Sequence, residues 1–376
     1  MCKTALKIMT YEKIKLVGIM MGIVISIFLI GAQLGILNNI LDISLGIVKG
    51  NEQYIYVVDK KSTSAITLVG VDRRVGYELQ SILNVKKVLP VIVTGGTSKF
   101  KSGATAVASI IGVQFPEMAG APAKFTPETN LANLQNGGAV IVDKNDLGNM
   151  ENMKVGDYFY LNNIRVFIGG LSVNNPGLGQ QNIITSVERA RQLSGFNANQ
   201  VSAYLIKSTT ADTLEQRKIV EQINHTIPNV KAYTGKDFAD ITTEYNKTSS
   251  GIVIPFYMMV AFSLLTGIII VGLTMFSSVN DHIRDYGTIK AIGGSNLLIA
   301  KLILRQAMLY AIMSFLVSMG LLFGLQYMMS MAGQALVFSS GMLFALLAIT
   351  LMMSLVGSFF SMRKIFKLEP VQIFRM

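Results

Sequence analysis

Histidine is the side chain best suited to hold a metal or move a proton near neutral pH, and this chain carries two, His225 and His282. A long uncharged stretch after Lys247 separates them. Read as a membrane span, it leaves no compartment in which both could join one metal site or one Ser/His/Asp triad. His225 reads as a surface helix residue. The carboxylate pairs Asp143/Asp146 and Asp237/Asp240 are spaced like loop and helix-cap residues, and solvated structure is expected of both. Gly169-Gly170 and Gly177-Leu178-Gly179 form a glycine-rich stretch, but no G-x-x-x-x-G-K-[ST] follows, and Gly235-Lys236 lacks the upstream glycine of a phosphate loop. The single cysteine, Cys2, excludes an intrachain disulfide and a cysteine metal cluster. It reads as an incidental reduced thiol. The expectation is no catalytic residue, no metal, no cofactor bound by this chain and no ATP hydrolysis of its own.

Hydrophobic residues make up 51% of the 376 positions and charged residues 15%, with a mean hydropathy of +0.47. Ordinary soluble domains carry about 25% charged residues. The apolar residues concentrate near the N-terminus and in the last third, whereas residues 50 to 250 look like a globular sequence. A membrane protein with a water-soluble insert is the reading. No charge falls between Lys15 and Asp42, between Lys247 and Asp281, or from Gln306 to Met362, the last stretch being long enough for two spans with a dip at Gln326, Ser330, Gly333 and Gln334. Spanning a hydrocarbon layer takes roughly 20 apolar residues. Four spans are therefore expected at 16–40, 251–279, 303–328 and 338–361, with 329–337 a short external loop. The first is too long for a signal-peptide core, and no apolar stretch precedes Cys2, so neither a cleaved leader nor a lipidated N-terminus is expected.

Basic residues set the orientation. The segment before span one (1–15, an amphipathic helix), the segment 280–302 with its flank, and the tail 362–376 together carry 12 basic and 4 acidic residues, against 21 and 18 for the rest. Those three segments are expected in the cytoplasm, with both termini, and 41–250 on the far side. The net charge of +11 is then mostly topology plus attraction to anionic membrane lipids, and nucleic acid is not an expected partner.

The external segment reads as mixed α/β. Tyr54–Val58 (strand), Arg73–Leu83 (helix) and Val88–Val93 (strand) open it. Val201–Ile206 (strand), Ala211–Ile227 (helix) and Val230–Tyr233 (strand) close it. Two β-α-β units thus flank a middle, the pattern of a split ferredoxin-like fold. The insert, about 97–200, is richer in strands: Val140–Val142, Tyr158–Leu161 and Arg165–Gly169, the last two joined by the turn-prone Asn162-Asn163.

The segment after span two, Asn280 to Leu297, reads as a short amphipathic helix. Ile283, Tyr286, Ile289 and Ile292 recur every three residues with charges between them, Gly293-Gly294 ends the turn, and a second helix starts near Ser295. Alone, such a helix fits a plain interfacial anchor. However, RDYGTIKAIGGSNLLI resembles the R-E-x-G-x-L-[RK]-A-[LI]-G-[AG] segment of FtsX/MacB-like permeases, the type VII ABC transporter subunits, and its DH-x-x-D-Y-x-T-I-K-A form resembles the DevC-type branch. The run ALKIMTYEKIKLVG before span one, the four-span layout and the tail FKLEPVQIFR are similar to the same family.

The resemblance implies a bacterial inner-membrane permease with a ferredoxin-like porter part and a β-rich part in its MacB-like periplasmic domain. It implies two permease copies, a homodimer, above a dimer of separate cytoplasmic ATPases that bind ATP and Mg, and a periplasmic adaptor with an outer-membrane channel. The ATPase is expected on another polypeptide because this chain has no ATPase domain ahead of span one, as MacB does. By the resemblance, Asp281, His282, Arg284, Asp285, Tyr286, Gly287, Lys290, Ala291 and Gly293 couple to the ATPase. Arg284, Asp285 and Lys290 make charged contacts, Tyr286 and Ile289 fill a groove on it, and Gly287 and Gly293 permit close approach. Asp285 stands where many relatives have Glu. The implied function is export of an amphiphile (lipid, glycolipid, peptide or drug). FtsX-like signalling to cell-wall hydrolases and LolC/LolE-like lipoprotein extraction are the alternatives. No intramembrane charge marks a substrate site.

Overall fold

The computed structural model describes residues 13–135, 137–173, 175, 177, 180–331, 336 and 338–366. Cys2, most of the N-terminal amphipathic run, most of the short loop 329–337 and the tail motif from Lys367 lie outside them. The chain divides into a helical unit (residues 1–38, 254–328 and 336–376) and a sheet-bearing unit (39–253 and 329–335), called the external unit after the side of the membrane expected for it.

In the external unit, β1 (Ile55–Asp59) is buried on both faces because its residues alternate between two cores. It lies between β11 (Val230–Thr234) and β10 (Ala203–Ser208), and β10 pairs onward with β3 (Val85–Lys99), every contact antiparallel. On one face, α2 (Val75–Gln80) and α4 (Thr213–Thr226) place Leu79, Ile219 and Ile223 on Ile55, Val57 and Ile206. On the other, α5 (Gly235–Thr248) sets the Phe238 ring 5.2 Å from Tyr56. This β-α-β pair of halves is the expected ferredoxin-like arrangement. Asp212 caps α4 by accepting the Leu214 N–H, and Thr234 caps α5 by accepting that of Asp237.

β3 is longer than its apolar stretch Val88–Val93 predicts and passes through residue 97 unbroken. Its first half pairs with β10. Its second half pairs with β4 (Thr105–Val113), and its end meets β6 (Tyr158–Leu161) through Ser98↔Leu161. From β4 the sheet continues through β8 (Gln181–Ser186), β5 (Ala139–Asp143) and β7 (Ile164–Ser172) to β6. The insert is therefore a six-stranded barrel closed through β3, a geometry that leaves no edge open for pairing. Ile110, Val142, Phe159, Ile168 and Ile183 pack together with Ala190 and Leu193 of α3 (Val187–Ser194). Asn162 and Asn163, at φ +49° and +65°, make the two-residue hairpin between β6 and β7. The strand pair β2 (Val71–Asp72) and β9 (Gln200–Val201) is separate.

The helical unit is built on α1 (Lys13–Ile43), α6 (Val253–Asp281), α8 (Asn296–Met331) and α9 (Ser340–Phe366). Each contains a stretch long and apolar enough to cross a membrane. Burying leucine gains little when the solvent is itself lipid, so small residues and hydroxyls carry such contacts. A Cβ on Gly267 would lie 2.3 Å from Met353 Sδ, and one on Gly22 the same distance from Ile270. Ser354 donates to the Ala307 carbonyl at 2.8 Å and Ser318 to that of Val24 at 3.3 Å, tying α9 to α8 and α8 to α1.

Candidate functional site

Between α6 and α8 lies α7, Ile283–Ala291. The sequence forms it for local reasons. His282 is its N-cap residue and its Nδ1 lies 2.9 Å from Asp285 Oδ2, which places the carboxylate at the positive end of the helix dipole, with Lys290 in the last turn. At the other end the Gly293 N–H donates to the Lys290 carbonyl (3.1 Å) and the Gly294 N–H to that of Ile289 (2.9 Å), a Schellman cap with Gly293 at φ +93°. Gly294 is needed for a different reason: a Cβ there would sit 2.6 Å from the Ile289 carbonyl oxygen.

The inward face of α7 corrects one expectation. Tyr286 does not project toward a partner; it is 3% exposed and packs with Ile19 and Ile23 of α1, Met275 and Val279 of α6, and Ile299 and Ile303 of α8. Its hydroxyl donates to Gln306 Oε1 at 3.4 Å, and burial pushes its pKa up to about 12. Gly287 is buried beside it, and Ile289 packs against the same cluster. The groove-filling role expected of Tyr286 is therefore taken up inside this chain.

The outward face holds Asp281, Arg284, Asp285, Thr288, Ala291 and Gly293, all exposed, while His282 and Lys290 are half-buried. The surface also presents Ile292, 81% exposed, and Leu297, 65% exposed. Spacing alone groups Ile292 with the inward residues. The helix ends at Ala291, however, so Ile292 leaves its register and turns out. The signal for this lies in Gly293-Gly294: with Gly293 as the left-handed residue that follows the cap, Ile292 is itself the C-cap residue.

The remaining sequence candidates sit in the external unit. His225 is exposed in the last turn of α4. Gly235 is a packing glycine, since a Cβ would lie 2.2 Å from the Glu52 carbonyl, and Gly170 packs as closely on Thr129. Asp237 and Asp240 lie on α5, half-buried and exposed. Asp143 and Asp146 differ from the expectation of solvated residues. Asp143 does cap the 3₁₀ turn Lys144–Met150, accepting the Asn145 N–H at 3.0 Å, but it is fully buried and also accepts from Ser172 Oγ and the Asn175 N–H. Asp146 is 9% exposed, and burial together with the Asp143 charge pushes its pKa up to about 7. Among the described residues no three His, Cys, Asp or Glu side chains come together as a metal site.

The surface of α7 falls within the stretch that comparison with known families singles out. Residues 257–370 match the family model of the FtsX-like permease C-terminal segment. Comparison with curated proteins gives no match. Solved structures resemble the external unit. The extracellular domain of the noncanonical ABC-type transporter YknZ from Gram-positive bacteria aligns at a TM-score of 0.35 and 12% identity, over 48% of this chain and 98% of that one. The periplasmic region of MacB from Actinobacillus actinomycetemcomitans aligns at 0.39 and 12%, over 54% and 95%. A domain of a Porphyromonas gingivalis protein described as a permease aligns at 0.33 and 11%, over 48% and 88%. The FtsX-like segment takes in α6 from Tyr257 on and the whole of α7, α8 and α9.

Proposed function

We propose that the chain is the membrane-spanning permease subunit of an FtsX/MacB-type ABC transporter, working with a separate cytoplasmic ATPase that docks on the outward face of α7. The observation that carries this reading is the FtsX-like match over 257–370 falling on a helix with two distinct faces. One is packed into the spans through Tyr286 and the other presents Arg284, Asp285, Thr288 and Ile292 to solvent. An exposed apolar residue beside a pair of opposite charges suits a docking surface, in which the apolar residue anchors and the charges set register. On this reading α7 faces the cytoplasm, the external unit lies across the membrane, and ATP-driven movement below is relayed to it for export of an amphiphile through a periplasmic adaptor. The DevC-like form of the loop and pairing with a second copy belong to the same proposal.

The test is reconstitution with the ABC ATPase encoded beside the chain. ATP turnover is expected to rise when the permease is present and to lose most of that rise in Arg284→Glu and Asp285→Lys, whose side chains are exposed. Equal turnover with and without the permease would refute the reading.

A further inference from the structure

The outer face of the barrel carries a pattern that the permease reading does not use. On β6, Phe159 and Leu161 point into the barrel core, so Tyr158 and Tyr160, which alternate with them, stand outside. Register then fixes their neighbours. Lys99 of β3 lies opposite Tyr160 on one side and Arg165 of β7 on the other, and Phe167 lies opposite Tyr158. Lys101, two residues beyond Lys99, reaches the second row: its Nζ lies 4.8 Å from the centre of the Tyr158 ring, and the Arg165 guanidinium carbon lies 4.0 Å from the same point. One ring thus holds two cations within about 9 Å of each other. Asp157 sits 3.3 Å from Lys101 and accepts the Lys154 N–H with its other oxygen, and Glu151 is taken up by the Ser102 backbone and hydroxyl. Against these two carboxylates stand Lys99, Lys101, Lys154 and Arg165, so the face is positive. Tyr160, 41% exposed, lies between Lys99 and Arg165.

We propose that this face binds an acidic glycan, a sugar polymer bearing carboxylates, with one sugar ring stacked on Tyr160 and its acidic group paired with Arg165 or Lys99. Cross-strand neighbours stand about 5 Å apart, which sets a cation within reach of a substituent on the very ring that stacks. A nucleotide separates the two, since its phosphate lies on the backbone away from the stacked base. A chain of phosphates offers charge with no ring for Tyr160. The Arg165 guanidinium is already seated on Tyr158, so little ordering of that side chain is left for binding to supply. The site lies outside the FtsX-like segment and does not rest on the permease reading.

The experiment uses the full chain in nanodiscs of zwitterionic lipid and a fluorescent hexamer of galacturonic acid, with binding read by anisotropy. Saturable binding is expected. It should weaken roughly tenfold in Tyr160→Ala, a loss typical of a tyrosine at the centre of a contact, and at least as much in Arg165→Glu. Lys218→Glu, an exposed charge reversal on α4, should bind as wild type does. The hexamer with its carboxylates esterified keeps the rings and loses the charge, and its binding should weaken by a similar factor. The thermal midpoint of Tyr160→Ala should stay constant, because that side chain lies outside the barrel core. Absence of saturable binding, or unchanged affinity in Tyr160→Ala, would overturn the proposal. Polyphosphate or oligothymidylate of equal charge binding as tightly as the hexamer would overturn it too. ATP turnover with the partner ATPase is read separately, so failure of the site and failure of the permease reading are distinguishable.

Discussion

Replacing Ile292 by alanine isolates docking from folding. The side chain is 81% exposed, outside the cluster that holds Tyr286. Its loss leaves the intramolecular packing untouched, and surface changes of this kind fall within about 0.5 kcal/mol of neutral. If Ile292 anchors the ATPase, docking buries it. Ile→Ala deletes three carbons, and at about 0.8 kcal/mol per methylene the lost burial is about 2 kcal/mol. That corresponds to roughly a 30-fold weaker Kd. The assay is titration of the ATPase onto the permease in nanodiscs, with the thermal midpoint of each variant measured alongside. Tyr286→Ala is the counterpart. It empties a buried aromatic site, for which about 3–5 kcal/mol of destabilisation is typical, so its midpoint falls and any loss of coupling follows from that. A Kd for Ile292→Ala within about threefold of wild type, a difference under 0.7 kcal/mol, would remove it from the interface. An unchanged midpoint for Tyr286→Ala would contradict the packing of α7.

Two further outcomes follow from local geometry. Gly294→Ala forces a methyl to within 2.6 Å of the Ile289 carbonyl; it should open the cap, cost about 1–3 kcal/mol and lower ATPase stimulation without touching the outward face, as coupling assays against Ser295→Ala would show. Asp146 titrates near 7 in the folded chain against about 4 unfolded. Between those values the folded state binds more protons, so the stability of the external unit should fall as pH rises from about 4 to about 7 and level off above, by up to about 4 kcal/mol. Asp146→Asn should abolish that slope in denaturant titrations followed by circular dichroism, and an unchanged slope would place the titration elsewhere.

The elements most legible in the sequence were those written in local pattern. The apolar runs gave the four long helices, and Asn162-Asn163 gave its hairpin. The two β-α-β units were readable because each alternates period-two and helical stretches. Closure of the barrel was not, because it rests on β3 running on past Val93 through Gly95 and Gly96 to Lys99, a stretch with few β-formers that is held by partners far away in sequence, β4 and β6. Long-range pairing also decided the fate of Asp143 and Asp146. Their spacing described a cap correctly, but what buries it, β7 and the Asn175 region, cannot be inferred from the neighbours of Asp143. At α7 the amphipathic stripe located the helix and its packed face and Gly293-Gly294 located its end, while Ile292 turns outward because it is the C-cap residue, past the last helical residue Ala291.

The packed face of α7 bears on how a push on it would travel. Tyr286 shares its cluster with Ile19, Ile23 and Ile27, all on the first half of α1. Close-packed contacts transmit displacement rather than absorb it. α1 runs from Lys13 to Ile43, roughly 45 Å at 1.5 Å per residue. Directly after it, Ile47 and Val48 enter the core that holds Tyr56 and Phe238. A load on the outward residues of α7 would thus reach α1, α6 and α8 through the cluster that holds Tyr286. The buried tyrosine, rather than a partner-facing one, is what makes the loop helix part of the spans it would move.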